Sequence, residues 1–212
     1  MGQEGFEQVE LVVRTMAQTA VDNETYFCEL DAVVGDGDFG YSLARGFEIV
    51  LAEWDGLDRA DSATFLRKVA VIVTSRVGGT SGPLWGTGFL RAAGAVGGAD
   101  AVGADEAVAM LRAAIEGVKQ RGGSDLGDKT LLDSLVPAVD VLEERLAAGD
   151  DAPTALAKAA QAATAAAEAT RPMLAKRGRA AYTGERSIGT LDAGAVGIAV
   201  MFEELAKAWP GA

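Results

Sequence analysis

Histidine is absent from the 212-residue chain, and cysteine occurs only once. Without imidazole the chain has no access to the commonest general base or to the usual nitrogen ligands of zinc. The single cysteine, Cys28, cannot form a disulfide framework, which favours a reducing, cytoplasmic compartment. Any chemistry must therefore rest on carboxylates, lysine, arginine, hydroxyl groups and bound metal.

Basic blocks and long apolar runs are missing as well. The net charge is -12, which argues against nucleic acid and anionic membrane as partners, because both require a basic face. Residues 1–25 carry acidic residues and lack the apolar core of a signal peptide. No apolar run approaches the roughly 18 residues of a membrane span. We expect a single domain, residues 1–212, with a sizeable core.

The most informative stretch that is present is Glu29–Ser42, in which three carboxylates alternate with glycines. Asp31, Asp36 and Asp38 fall within it, and two carboxylates about 5 Å apart repel by roughly 3 kcal/mol at an effective dielectric near 20. Such a cluster calls for a cation, and oxygen-only ligands suit Mg²⁺, which also takes substrate phosphates as ligands. The alternative is a solvated acidic loop. The glycines favour the metal, because they permit the turns that fold a loop onto a ligand.

Three familiar motifs nearly fit the glycine-rich stretches and are rejected. Residues 35–40 match the letters of the dinucleotide fingerprint, but two carboxylates there would repel phosphate unless metal lies between them. A calcium loop beginning at Asp36 would need glutamate where Phe47 stands. Residues 122–130 resemble a P-loop, but Asp128 stands between the second glycine and Lys129, so the spacing is wrong. What remains is an aspartate loop that opens a helix, where free amides of residues 39–42 can meet phosphate oxygens.

Apolar residues recur every three or four positions, so the sequence predicts an all-α protein. No alternating strand pattern, disordered linker or fixed repeat is seen. Eight helices are predicted, at about residues 5–28, 41–54, 61–78, 79–96, 105–121, 130–146, 153–175 and 192–209.

Polar, glycine-rich loops follow the first, third, fifth and seventh predicted helices. In an up-and-down antiparallel arrangement these four loops lie at the same end. They carry the three aspartates, Thr80 with Ser81, the 122–130 segment, and a basic group formed by Lys176, Arg179 and Arg186. An acidic metal loop, hydroxyls at a helix start and a basic loop are the parts of a phosphate site.

Five segments spread over nearly the whole chain match one family in sequence and in order. They are Leu30–Asp38, Val77–Thr87, Gly127–Thr130, Arg177–Tyr182 and Gly184–Gly189. Together they resemble the L subunit, or nucleotide-binding domain, of the dihydroxyacetone kinase family. The resemblance implies an antiparallel eight-helix barrel that holds ADP or ATP at one rim.

The resemblance also implies a role for each matching position. Two Mg²⁺ ions would be held by Asp31, Asp36 and Asp38 and would bridge the nucleotide phosphates. Arg179 would face the phosphates and steady charge on the transferred group; the alternative is a solvated loop arginine. The other nucleotide contacts implied are Phe39, Gly40, Tyr41, Ser42, Thr80 and Ser81 along the phosphates, Gly122 and Leu131 at the border, and Leu191, Asp192 and Ala193 closing over the nucleotide. Asp128 and Lys129 are expected only to fix their loop by an ion pair.

The same resemblance implies partners. In this family a separate K-type subunit binds the ketose through a covalent hemiaminal to a histidine, which agrees with a histidine-free L-type chain. The phosphoryl source is either exchanging ATP or bound ADP rephosphorylated by a phosphotransferase-system protein, and homodimerisation through the K partner is a further expectation. Phe39 and the run Thr190–Ala193 replace family histidine motifs, so dihydroxyacetone and a four-carbon ketose such as erythrulose both stay open.

Two other functions remain as alternatives. The first is the nucleotide domain of a fatty-acid kinase, which resembles the same barrel but carries further domains. The second is a non-catalytic regulatory or scaffold protein that binds nucleotide and partners.

Overall fold

A computed structural model describes residues 5–97 and 101–211. Within these ranges the chain forms nine α-helices and two 3-10 segments, with no β-strand, so the predicted all-α class is confirmed. The helices are α1 Phe6–Asp22, α2 Glu24–Ala32, α3 Phe39–Ala52, α4 Ser62–Arg76, α5 Ser81–Val96, α6 Ala104–Gly122, α7 Leu132–Ala147, α8 Ala152–Ala169 and α9 Ala193–Ala208; the 3-10 segments are Trp54–Gly56 and Arg179–Ser187.

The first predicted helix is wrong as a single element, because the chain breaks at Asn23. This residue leaves helical geometry, with φ -107° and ψ 17°, and its side-chain amide donates to the Thr19 carbonyl at 2.9 Å. Asparagine side chains compete with backbone hydrogen bonds in this way and disfavour helix interiors. The short helix that follows, α2, places Asp31 in its last turn.

The seventh predicted helix, residues 153–175, is too long. Helix α8 ends at Ala169, where the buried Thr170 hydroxyl donates to the Ala167 carbonyl at 2.7 Å. Pro172 has no N–H and disfavours helical geometry in the residue before it. Residues 170–192 therefore form a long connection that includes the second 3-10 segment. The other six predicted helices correspond to α3–α7 and α9.

Eight of the helices close into a ring. Each helix from α3 to α9 packs against the next, α9 packs against α1, and α1 packs against α3. Helix α2 is an addition that lies against α3 and α9. Among the described residues, neighbours in this ring therefore follow the order of the chain, with α9 returning to α1 and α1 packing against α3.

The interior of the ring is filled by side chains. Phe27, Phe47 and Phe65 are fully buried, and burial of such a side chain stabilises the fold by about 1.5–3 kcal/mol. Phe47 meets the rings of Trp85 and Phe89 edge-on, with centroids 6.4 and 6.3 Å apart.

Close helix packing explains one of the glycines inside α5. A Cβ atom on Gly86 would collide with Thr74 Oγ1 and approach the Ala70 carbonyl oxygen to 3.0 Å. This glycine therefore permits the contact between α4 and α5. None of the helices in the described ranges is long and apolar enough to cross a membrane.

Candidate functional site

The loop between α2 and α3 gathers the three predicted aspartates. One carboxylate oxygen each from Asp31, Asp36 and Asp38 lies within 4.8 Å of the others. Asp31 Oδ2 accepts hydrogen bonds from the amides of Gly37 at 2.8 Å and Asp38 at 3.1 Å, which leaves Oδ1 for a ligand. Gly37 has φ 74°, a left-handed geometry that glycine adopts at little cost. The loop thus holds Asp31 firmly and leaves Asp36 and Asp38 exposed.

The electrostatics of this cluster favour a cation. Partial loss of hydration by the neighbouring atoms raises the pKa of Asp38, and the adjacent Asp36 and then Asp31 raise it further, whereas Arg179 opposes the shift. Carboxylates that repel one another in this way gain from a positive charge placed between them. The donor set is all oxygen, which fits a hard cation such as Mg²⁺.

Arg179 reaches this cluster from a distant part of the sequence. Its Nε atom forms an ion pair with the Asp36 carboxylate. Most of the arginine side chain, 65%, stays exposed to solvent, so the guanidinium can leave Asp36. The predicted meeting of the basic loop and the acidic loop is present in the structure.

The first turn of α3 presents fewer free amides than predicted. The Ser42 amide donates to the Asp38 carbonyl at 2.8 Å, and the Tyr41 amide donates to Cys28 Sγ at 3.2 Å. The amides of Phe39 and Gly40 remain, because the first residues of a helix have no acceptor one turn earlier within it. The prediction of a row of free amides over residues 39–42 is therefore wrong for its second half.

The Phe39 side chain has a packing role that its sequence position did not reveal. Its ring lies 6.0 Å from that of Phe27, centroid to centroid. A Cβ on Gly197 of α9 would approach two of its ring carbons to 3.7 Å. The aromatic ring thus joins α2, α3 and α9, which leaves the Phe39 amide as the group that could meet a phosphate.

The hydroxyl-bearing start of α5 lies beside the start of α3. A Cβ on Gly78 would come 2.6 Å from Ser42 Oγ. Thr80 immediately precedes α5 and is exposed, and Ser81 is its first residue. Two helix N-termini, both favourable for anions, consequently lie side by side.

Two further contacts bring the third and fourth predicted loops to the same rim. A Cβ on Gly122 would lie 3.2 Å from Leu84 Cδ2, next to the start of α5. A Cβ on Gly194 would lie 3.2 Å from Leu131 Cβ, so the start of α9 contacts the start of α7. The structure therefore brings Gly122, Leu131 and the run 191–193 together with the first two loops.

A buried carboxylate shapes the 122–130 loop. Asp133 Oδ1 accepts the Gly127 amide at 2.5 Å, and Oδ2 accepts the Thr130 amide at 2.7 Å. The Thr130 hydroxyl in turn accepts the Leu132 amide at 3.2 Å. Asp133 thus ties the 122–130 loop to the first turn of α7.

The predicted ion pair between Asp128 and Lys129 is wrong. Asp128 instead binds Lys176 at 3.2 Å and Arg177 at 3.1 Å, while Lys129 turns inward and is 2% exposed. Lys176 also donates to the Gly127 carbonyl at 2.8 Å, so it anchors the basic loop. Arg186 is exposed and has no ion pair among the described residues.

Asp192 has two structural partners. Its carboxylate accepts the Ala195 amide at 2.7 Å and caps α9, and its own amide donates to Thr170 Oγ1 at 3.0 Å. Burial of the carboxyl group, with Asp133 adding, raises the pKa of Asp192 to about 7, and hydrogen bonds and Lys129 oppose the shift. The sequence predicts that Asp192 lies near the nucleotide, but it did not indicate that this carboxylate caps α9.

A cavity of about 810 Å³ lies between α5 and α6. It is lined by residues such as Leu90, Arg91 and Gln120 and includes none of the predicted site residues. The candidate site is instead the open rim described above.

A closed helical ring with clustered carboxylates and helix N-termini at one rim defines the class: an all-helical domain suited to a metal-bound anion. The chain belongs to the DAK2 domain family, whose model matches residues 33–207. Its family assignment from sequence is thereby confirmed.

Curated relatives carry kinase names. The chain is 39% identical over 183 residues to the "PEP-dependent dihydroxyacetone kinase, ADP-binding subunit DhaL" of Escherichia coli strain K12, covering 86% of this chain and 87% of that protein. It is 38% identical over 200 residues to the "L-erythrulose 1-kinase" of Mycolicibacterium smegmatis, covering 92% of this chain and 34% of that protein.

A solved structure has the same fold. The dihydroxyacetone kinase from C. freundii, in complex with AMP-PNP and Mg²⁺, matches with a TM-score of 0.71 and 28% identity. The match covers 93% of this chain and 33% of that kinase chain. This chain therefore spans about a third of the length of that enzyme.

Proposed function

We propose that this chain is the nucleotide-binding subunit of a dihydroxyacetone kinase-type enzyme, and that it passes a phosphoryl group to a short ketose on a separate K-type subunit. The observation that carries the proposal is the meeting of three aspartates, two helix N-termini and Arg179 at one rim. Kinase names among the relatives support it.

The metal ligands in this proposal are the three aspartates, and they hold two Mg²⁺ ions. Asp31 is fixed through Oδ2 by two amides and offers Oδ1, whereas Asp36 and Asp38 present exposed carboxylates. When bound there, Mg²⁺ would supply neutralising charge for phosphoryl transfer. The aspartates contribute geometry, because phosphoryl transfer depends mostly on positioning.

The nucleotide lies across the rim in this proposal. The phosphates accept hydrogen bonds from the amides of Phe39 and Gly40, as anions do at helix N-termini. The hydroxyls of Thr80 and Ser81 donate to the same phosphates. Tyr41 and Ser42 continue the first of these helix turns. The remaining contacts come from the neighbouring loops and helix starts, at Gly122, Leu131, Leu191, Asp192 and Ala193.

Arg179 is the catalytic side chain of the proposal. Because it pairs with Asp36 while mostly exposed, it can transfer from that carboxylate to the oxygens of the moving phosphoryl group. A planar guanidinium suits such oxygens and stabilises charge that develops during transfer.

The partner's docking place follows from exposed apolar side chains near the rim. Tyr182, in the second 3-10 segment, is 91% exposed, and Tyr41, at the start of α3, is 55% exposed. Patches of this kind mark interaction surfaces. A ketose-bearing K-type subunit must cover this rim for transfer to occur. The other large apolar side chains exposed in α2, the rim loops or the long connection are Tyr26, Val33, Leu126, Leu174 and Ile188.

The first test is calorimetric titration of ADP and ATP with and without Mg²⁺. We expect binding that depends on Mg²⁺ and that Asp36→Asn weakens on the order of 100-fold or more, since loss of a ligand exceeds the effect of an outer-shell change. Asp55→Asn is the matched control, because this exposed aspartate follows the opposite end of α3. Tight binding without metal would contradict the proposal.

The second test is turnover with a K-type subunit. Dihydroxyacetone and erythrulose are each supplied with ATP, or with phosphoenolpyruvate and the phosphotransferase proteins, and the phosphorylated product is measured. Product with only one donor identifies the phosphoryl source, which the relatives leave open. Nucleotide binding without product under any combination would favour the scaffold alternative.

A further inference from the structure

Lys129 is a buried cation held by oxygen atoms of the backbone. Its Nζ lies 2.5 Å from the Ser187 carbonyl, 2.8 Å from the Thr190 carbonyl and 3.2 Å from the Met173 carbonyl. The Thr190 hydroxyl is a fourth neighbour at 3.2 Å. An ammonium group has three N–H donors and no acceptor, so this cage matches it. No carboxylate of the described residues forms an ion pair with it.

The backbone of Lys129 is unusual as well. Its φ is 61°, the one positive φ of a non-glycine residue in the described ranges. Such a value is uncommon for a residue with a long side chain. The flanking amides of Gly127 and Thr130 are fixed by the buried Asp133, and this geometry aims the lysine inward.

The three carbonyls belong to the two ends of one loop. Met173 stands at the start of the connection between α8 and α9, and Ser187 and Thr190 stand at its end. The Ser187 hydroxyl also accepts the Ala175 amide at 2.9 Å, so the two ends meet. Arg179 lies in the loop between these two ends, and it forms the ion pair with Asp36.

We propose that Lys129 is a positioning residue whose tethered ammonium closes the base of the 173–190 loop and thereby holds Arg179 and the start of α9 at the rim. The loop thus carries its own monovalent cation and needs no free ion at this place. The link to Arg179 and the nucleotide rests on the function proposed above, whereas the clamp itself does not.

The charged form of the lysine fits the cage best. Burial lowers the pKa of Lys129, Asp192 raises it and Arg171 lowers it further. Three carbonyl acceptors oppose the effect of burial, because a neutral amine would leave acceptors without a proton.

The test removes the side chain and returns the ammonium as a free amine. Lys129→Gly relaxes the positive φ and leaves a channel with the length of n-butylammonium. We expect trypsin to cleave the 176–186 segment about tenfold faster or more, as loss of buried hydrogen bonds increases local opening. Butylammonium should slow cleavage towards the wild-type rate, whereas butanol, which lacks the charge, should not.

A second variant keeps the side-chain volume and removes the ammonium group, with its charge and its three N–H donors. Lys129→Met should also be cleaved faster, and Lys158→Met on the exposed face of α8 is the matched control. If Lys129→Gly does not fold, the cleavage rate of Lys129→Met relative to Lys158→Met decides alone, because the methionine side chain leaves no space for the amine. Wild-type cleavage rates in folded Lys129 variants, or no effect of butylammonium on folded Lys129→Gly, would overturn the clamp.

The positioning role has its own readout. Where wild-type protein binds Mg²⁺-ADP, both Lys129 variants should bind it about tenfold more weakly, and butylammonium should restore binding to Lys129→Gly. Faster cleavage with unchanged affinity would overturn the positioning role. If the wild type binds no Mg²⁺-ADP, the proposed function fails, and the proteolysis result still decides the clamp.

Discussion

The rim has two sides, which differ in how the charges of their side chains are compensated. On the Asp31, Asp36 and Asp38 side, like charges crowd within 4.8 Å, and one exposed arginine offsets them. On the Lys129 and Asp133 side, each buried charge is enclosed by the chain's own carbonyls or amides. The first side keeps negative charge that only Arg179 offsets, whereas the second side has its buried charges paired within the chain. We therefore expect the first side, and not the second, to bind a cation.

The largest expected difference is in the stability of aspartate variants on the two sides. Asp133→Ala leaves two partly buried amides without an acceptor and should lower the free energy of unfolding by about 3 kcal/mol, because hydrogen bonds to charged groups are strong. Asp38→Asn should leave it unchanged or raise it in metal-free buffer, because the repulsion with Asp36 is relieved. Urea unfolding followed by circular dichroism measures both. An equal decrease in the free energy of unfolding of the two variants would contradict the difference between the two sides.

The second prediction concerns metal. Mg²⁺ at about 100 times its dissociation constant should stabilise the wild type by about 2.7 kcal/mol through mass action. Asp133→Asn should keep this gain, and Asp36→Asn should lose it. Thermal unfolding at increasing Mg²⁺, with Na⁺ at equal ionic strength as the control, provides the measurement. A gain retained in Asp36→Asn would place the cation elsewhere.

The third prediction concerns pH. The pKa of Asp192 rises from 3.8 to about 7 in the folded state, so the folded protein holds a proton that the unfolded chain has released. Stability should therefore fall as pH rises from about 4 to about 7 and level off above that. Asp192→Asn keeps a good helix cap and should flatten this slope.

Because the chain has no histidine, the side chain that usually titrates between about pH 5 and 8 does not contribute to the pH dependence of stability. The pKa of Asp38 is raised as well, so Asp38→Asn serves as the comparison variant. A slope that survives in Asp192→Asn and disappears in Asp38→Asn would assign the effect to the open side of the rim.

The smallest expected effect belongs to Arg179. Its pair with Asp36 is exposed, and such pairs contribute about 0–1 kcal/mol, so Arg179→Gln should raise the affinity for Mg²⁺ alone by no more than about fivefold. The same variant should slow phosphoryl transfer. Calorimetry without nucleotide, compared with Arg186→Gln, separates this competition from a general loss of positive charge. Weaker Mg²⁺ binding in Arg179→Gln would contradict the exchange of arginine for metal.

The open side of the rim was accessible from sequence, and the closed side was not. Local spacing marks Asp31, Asp36 and Asp38, because carboxylates and glycines alternate within one loop. The inward turn of Lys129 depends on carbonyls more than forty residues away, at Met173, Ser187 and Thr190. No local pattern signals such a cage, and the adjacent Asp128 pointed to an ion pair that does not form.

Helix predictions failed for the same kind of reason. Apolar periodicity continues through Asn23 and past Ala169, but backbone competition ends the helices there. Periodicity reports which face is buried, and side-chain hydrogen bonds decide where a helix stops. The helix starts near Asp61 and Asp192 were predicted correctly, and in the structure both carboxylates accept a main-chain amide of the helix that follows.

The contact between Cys28 and the first turn of α3 has a practical consequence. The chain's one thiol sits beneath the loop where nucleotide is expected, and its sulfur accepts the Tyr41 amide. A maleimide fluorophore or spin label would attach at a single known place without mutagenesis. Its emission or mobility would then report, in real time, the arrival of nucleotide and the docking of a second subunit.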